Sequence, residues 1–234
     1  LNELAISATY QHPSKVHPSL QERDPANQWM ARGPRVRLSA EQIRDQALAV
    51  SGLLSDKMYG PSVMPPQPEG IWQVVYSGQQ WETSEGEDQY RRGLYTYWRR
   101  TSPYPSMIAF DSPSREFCVT RRVMTNTPLQ ALVTLNDPVF MEAAKSLAQR
   151  MIQEGGERPE AQIASGYRLA LAKEISPKKQ EALLQLYQES IDFYQNNPEE
   201  TIKMAGEDER NQQLAALAVV ANAMMNLDEF VTKS

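Results

Sequence analysis

The sequence predicts a mainly α-helical protein in which an irregular, proline-broken, arginine-rich N-terminal half packs on a C-terminal antiparallel helical array. Three observations carry this expectation. Apolar residues recur at helical spacing through most of residues 127–227. A capping residue followed by proline recurs there as a helix start, at Thr127-Pro128, Asp137-Pro138, Ser176-Pro177 and Asn197-Pro198. Arginine is segregated as well: 12 of the 16 arginines precede residue 123, and no lysine lies between Lys57 and Lys145.

The elements follow in order. Leu1, Leu4, Ala5 and Ala8 suggest a short helix over 1–10. Residues 11–37 are polar and broken by Pro13, Pro18, Pro25 and Pro34. Ser39 and Gln42 form a capping box, and Ile43, Ala47, Val50 and Leu54 make one helical stripe behind it. Prolines and glycines break 55–90, where Ile71 to Tyr76 reads as a short strand or extended segment and Glu82, Glu85, Glu87 and Asp88 as a solvated acidic loop. A helix rich in Tyr, Trp and Arg is expected over 90–100, then a broken stretch to 114. Thr127-Pro128 with Gln130 starts a helix over 128–135, and Asp137-Pro138 starts one over 138–152 that Gly155-Gly156 ends. Glu160 to Lys173 is the next helix. The helix from Pro177 should bury Ala182, Leu183, Leu186, Tyr187 and Ile191, and a short helix follows Asn197-Pro198. Glu207 to Leu227 closes the array with Leu214, Leu217, Ala218, Ala221 and Met224 inward.

A chain of 234 residues is long enough to bury a sizeable core, and one domain over 1–234 is expected, a C-terminal piece of a larger protein. Its sub-regions are 1–122, the arginine-rich half, and 123–234, the helical half. The first carries 14 Lys and Arg against 13 Asp and Glu; the second carries 10 against 16. A nearly neutral arginine-rich half argues against nucleic acid and for ordered ion pairs, because guanidinium groups form fixed bidentate contacts. One cysteine excludes an internal disulfide, and two histidines, His12 and His17, leave little for a His-rich metal site or histidine acid–base work. No apolar run reaches the length of a membrane span.

Candidate binding residues are Arg91, Arg92, Tyr95, Trp98, Arg115, Arg121 and Arg122. Guanidinium groups interleaved with aromatic rings suit a sulfated or otherwise anionic glycan, a protein partner, or an aromatic face on the core with snorkelling arginines. Cys118 stands near Arg115, Arg121 and Arg122, which would favour a thiolate, although a lone cysteine is more often a small buried hydrophobe. Asp111 and Glu116 form a carboxylate pair whose arginine neighbours favour ion pairing over hydrolysis. Thr127, Asp137, Asp45 and Glu116 are candidate structural partners. At least one of Arg115, Arg121 and Arg122 is expected to be buried and salt-bridged, clamping the loop. Met224, Met225 and Met204 read as core filler.

A set of motifs then runs along most of the chain: Arg23-Asp24-Pro25-Ala26-Asn27, Arg32-Gly33-Pro34-Arg35, Ile43-Arg44-Asp45-Gln46-Ala47-Leu48, Gly60-Pro61-Ser62-Val63, Arg91-Arg92-Gly93-Leu94-Tyr95-Thr96, Arg115-Glu116 with Cys118, and Asn126-Thr127-Pro128-Leu129-Gln130-Ala131-Leu132 before Leu135-Asn136-Asp137-Pro138. It resembles the planctomycete-type, cytochrome-c-associated C-terminal domain of unknown function, the PSD-one type. That resemblance implies a domain of a large exported, multidomain bacterial protein, located in the periplasm or cell envelope; a non-catalytic interaction role is expected because two histidines and one cysteine supply no complete catalytic constellation. It implies the parent's upstream domains as partners, no cofactor in this domain, and a haem elsewhere in the parent.

Overall fold

The computed structural model describes residues 2–14, 17–71, 80–206 and 211–233. Eleven helices run through them: α1 Asn2–Ala5, α2 Pro18–Arg23, α3 Ala40–Ser51, α4 Pro105–Ala109, α5 Pro128–Asn136, α6 Pro138–Gly155, α7 Pro159–Leu171, α8 Pro177–Asn196, α9 Pro198–Ala205, α10 Asn211–Met225 and α11 Asp228–Val231. Two-residue strands β1 Val36–Arg37 and β2 Thr232–Lys233 pair antiparallel, Val36 opposite Lys233. The fold class is therefore mainly helical, as the sequence indicates. The expected strand from Ile71 to Tyr76 lies outside the described residues beyond Ile71, and so does the expected start of the last long helix at Glu207.

Proline stands in the first turn of seven of these helices, α2 and α4 through α9. Its fixed φ suits that turn, and its missing N–H would have no partner there in any case. Of the seven only α6 has a side-chain capping bond, from Asp137; Arg158-Pro159 belongs to the set although arginine is not a capping residue type, so a search for capping residues passes it by. The capping box at α3 forms as expected: Ser39 Oγ accepts from the Gln42 N–H, and Gln42 Oε1 accepts from the Ser39 N–H. Gly52, in the left-handed region at φ 81, ends α3 before Leu54, so the expected stripe stops at Val50. In α8, Tyr187 is buried with Ser190 and Tyr194, and Leu183, Leu186 and Ile191 pack half-buried on the core. Ala182 departs from the expected face and is exposed.

The core lies around α10. Leu214, Leu217, Ala218, Ala221 and Met224 point inward as expected, and Ala215, Ala216, Val220 and Met225 are buried too. A helix that is apolar all round is a central one, and α10 packs on α6, α8 and α9. On its other side α6 meets α7 and α3. The α6–α7 approach is close enough to require glycine. A Cβ on Gly155 would collide with the Gln162 backbone, and one on Gly166 would sit 2.6 Å from Met151 Sδ.

Two departures concern the N-terminal half. The first helix is only α1, and Leu4 and Ala5 are exposed. The expected helix over 90–100 is instead two 3₁₀ turns, Gly86–Tyr90 and Gly93–Tyr95, followed by extended chain. The physical reason is Arg91, whose side chain is drawn into the interior between them. The two halves are also tied directly. The C-terminal tail returns to the N-terminal half: the Leu38 N–H donates to Val231 O at 2.9 Å, Gln46 Nε2 donates to Phe230 O at 2.7 Å, and Arg35 pairs with Asp228. Lys179 and the Tyr167 hydroxyl both donate to the Glu229 carboxylate, at 2.7 and 2.8 Å, and hold it below its ordinary pKa.

Candidate functional site

Two arginines form the scaffold of the irregular half. Arg44, on α3, donates from its two terminal nitrogens to Arg91 O at 2.6 Å and Gln89 O at 2.7 Å. Arg91 in turn donates to Pro61 O at 3.0 Å and to Tyr59 O, and its guanidinium lies 3.9 Å from the Tyr95 ring centre. Their side chains are 3% and 1% exposed, so both are committed inside the protein. A planar fork of donors can satisfy several loop carbonyls at once, which a chain without regular secondary structure needs. Burial lowers the Arg44 pKa, against the pull of Tyr104, Asp45 and Asp137. Asp45 accepts the Gly93 N–H at 2.6 Å and holds the second 3₁₀ turn on α3; burial raises its pKa.

The other expected binding residues lie outside this scaffold, and of them Arg115 and Trp98 meet. Arg92 is exposed, 3.9 Å from Asp56. Arg115 is exposed, with its guanidinium 4.7 Å from the Trp98 ring centre. Arg121 is exposed, with no ion pair among the described residues. Arg122 grips Glu41 with two hydrogen bonds of 2.6 and 3.0 Å. Burial opposes this pair at Glu41, yet the Arg122 bond prevails and holds the carboxyl below its ordinary pKa. The expected buried clamp among Arg115, Arg121 and Arg122 is thus overturned: all three are exposed, and the buried arginines are Arg44 and Arg91. Cys118 is exposed as well, not a buried hydrophobe. Alanine variants of Arg115, Arg121 and Arg122 should each melt within about 1 kcal/mol of the parent, since surface pairs contribute little. A loss of several kcal/mol in thermal melts would restore the clamp.

Asp111 and Glu116 do not form a working pair. Asp111, at φ 61, accepts from the Thr125 N–H at 2.6 Å, from the Thr125 hydroxyl at 2.9 Å and from Gln130 Nε2 at 3.2 Å. Glu116 is exposed. Thr127 starts α5, but its side chain makes no capping bond. Gln130, which would complete a capping box, is turned inward to Arg37, Ala109 O and Asp111. Asp137 does cap α6, accepting the Val139 N–H at 3.0 Å; burial pushes its pKa up to about 6.

The sequence places α5 correctly but does not reveal how it sits. Its polar residues Gln130 and Thr134 are 2% and 1% exposed, whereas Leu129, Leu132 and Leu135 are 58%, 56% and 41% exposed. Thr134 is held by the end of α10, through Thr134 Oγ1 to Asn226 Oδ1 at 3.0 Å and Asn222 Nδ2 to Thr134 O at 2.9 Å. The helix is amphipathic in the inverted sense. The one local signal is the spacing of Gln130 and Thr134, a single turn apart. Its outer face and α4 line a groove of about 850 Å³ that includes Pro105, Ile108, Leu129, Leu132 and Val133.

These features define a mainly helical protein with an internal arginine scaffold and an apolar groove open at its surface. The chain belongs to the PSD1 family of proteins of unknown function (DUF1553), whose model matches residues 1–187. No curated protein and no solved structure matches it.

Proposed function

We propose that this chain is a non-catalytic interaction domain of a larger exported, cytochrome-c-associated protein, and that it docks against that protein's upstream domains. The inverted α5 carries this reading. Water-facing leucines beside water-shielded Gln130 and Thr134 are unfavourable in an isolated domain, and an exposed apolar face of this kind marks an interaction surface. The export and cytochrome association rest on the family resemblance. The test is sedimentation of the chain with the domains that precede it in its parent, with and without the double substitution Leu129→Asp and Leu132→Asp. Complex formation that the double variant weakens at least about tenfold is expected; no association at high micromolar concentration would sink the reading.

A second reading has one observation in its favour. Arg115 stacks over Trp98 without a carboxylate partner among the described residues, and Arg121 is exposed in the same loop. A guanidinium on an aromatic ring suits a sulfated polysaccharide. Weighing against it, Arg91 is buried and Arg122 is paired. Retention on a sulfated-glycan array that Trp98→Ala abolishes would favour it.

A further inference from the structure

Resting on the interaction reading, we propose that the α4–α5 groove takes a basic amphipathic helix, one with apolar residues on one face and lysine or arginine beside them. The groove's charge selects this occupant. Asp111 and Asp137 line it, and among the described residues no lysine or arginine does. α5 itself, Pro128–Asn136, bears no charged residue. An apolar floor whose charged lining groups are carboxylates, Asp111 part-exposed at the rim and Asp137 buried beneath it, repels an acidic helix and attracts a basic one. Size points the same way. The nine residues of α5 span about 13 Å, room for two to three turns of a docked helix.

The probes are two labelled model peptides of about 18 residues, long enough to hold a helix when docked. One carries leucine at i, i+3, i+4 and i+7 with lysine elsewhere; the other has glutamate in place of lysine. Fluorescence anisotropy should show the leucine–lysine peptide binding at least about tenfold more tightly. Leu132→Asp should remove apolar contact and weaken that binding at least about tenfold. The substitution adds negative charge, so diffuse attraction to an acidic protein would strengthen, and only docking in the groove predicts a loss. Leu129→Asp serves as a second variant, and circular dichroism confirms that each folds. Equal binding of the two peptides would overturn the basic helix while leaving the interaction reading intact. Binding unchanged by both substitutions, or no binding of either peptide, would remove the groove as the site; the sedimentation experiment separately decides the broader reading.

Discussion

Arg44→Ala and Arg91→Ala are each expected to destabilise the protein by about 3–5 kcal/mol, because each orphans two loop carbonyls, at about 1–3 kcal/mol apiece, and empties a buried site. Arg44→Ala strips the donors from Gln89 O and Arg91 O and leaves a cavity beside α3. Arg91→Ala does the same to Pro61 O and Tyr59 O. Lysine is no substitute at either position, because one ammonium cannot reproduce the two-pronged geometry. Denaturant unfolding of the two alanine variants checks this, with Arg122→Ala as the exposed comparison. Losses below about 1 kcal/mol at both buried sites would show that the loops hold without them.

The second expected result concerns pH. Asp137 titrates near 6 in the folded protein against an ordinary 3.8. The unfolded chain therefore gives up this proton first as pH rises, and stability falls between those two values. Below the lower value both states are protonated and the group costs nothing; above pH 6 the full penalty of about 3 kcal/mol applies, at 1.36 kcal/mol per unit. Asp137→Asn keeps an oxygen to cap Val139, as asparagine caps about as well as aspartate. The variant should match the parent below about pH 4 and exceed its stability at pH 7, with the gap opening across that window. A gap that stays constant with pH would show that Asp137 ionises freely.

Much of the helical half is legible in the sequence because its signals are local. A proline after a capping residue fixes a helix start through its own φ and its missing N–H, as at Pro138 and Pro177. The stripe of α10 reports burial directly. Arg158-Pro159 escapes the pattern because arginine is no capping residue, although proline alone suffices. In the arginine-rich half, local signals fail. The segment over 90–100 has helical composition, yet Arg91 is committed to the carbonyls of Tyr59 and Pro61, far upstream in sequence.

Sequence by itself determined the helical class and most helix boundaries in residues 127–227, since propensity, capping and periodicity act within a few residues. Only the tertiary structure decided which arginines are buried, that Arg115, Arg121 and Arg122 face water, and that α5 turns its leucines outward. Those outcomes depend on which distant carbonyl, carboxylate or helix meets each side chain. Gln130 and Thr134 face inward because Arg37, Asp111 and Asn226 offer them hydrogen bonds there, and a buried polar group goes where its partners are.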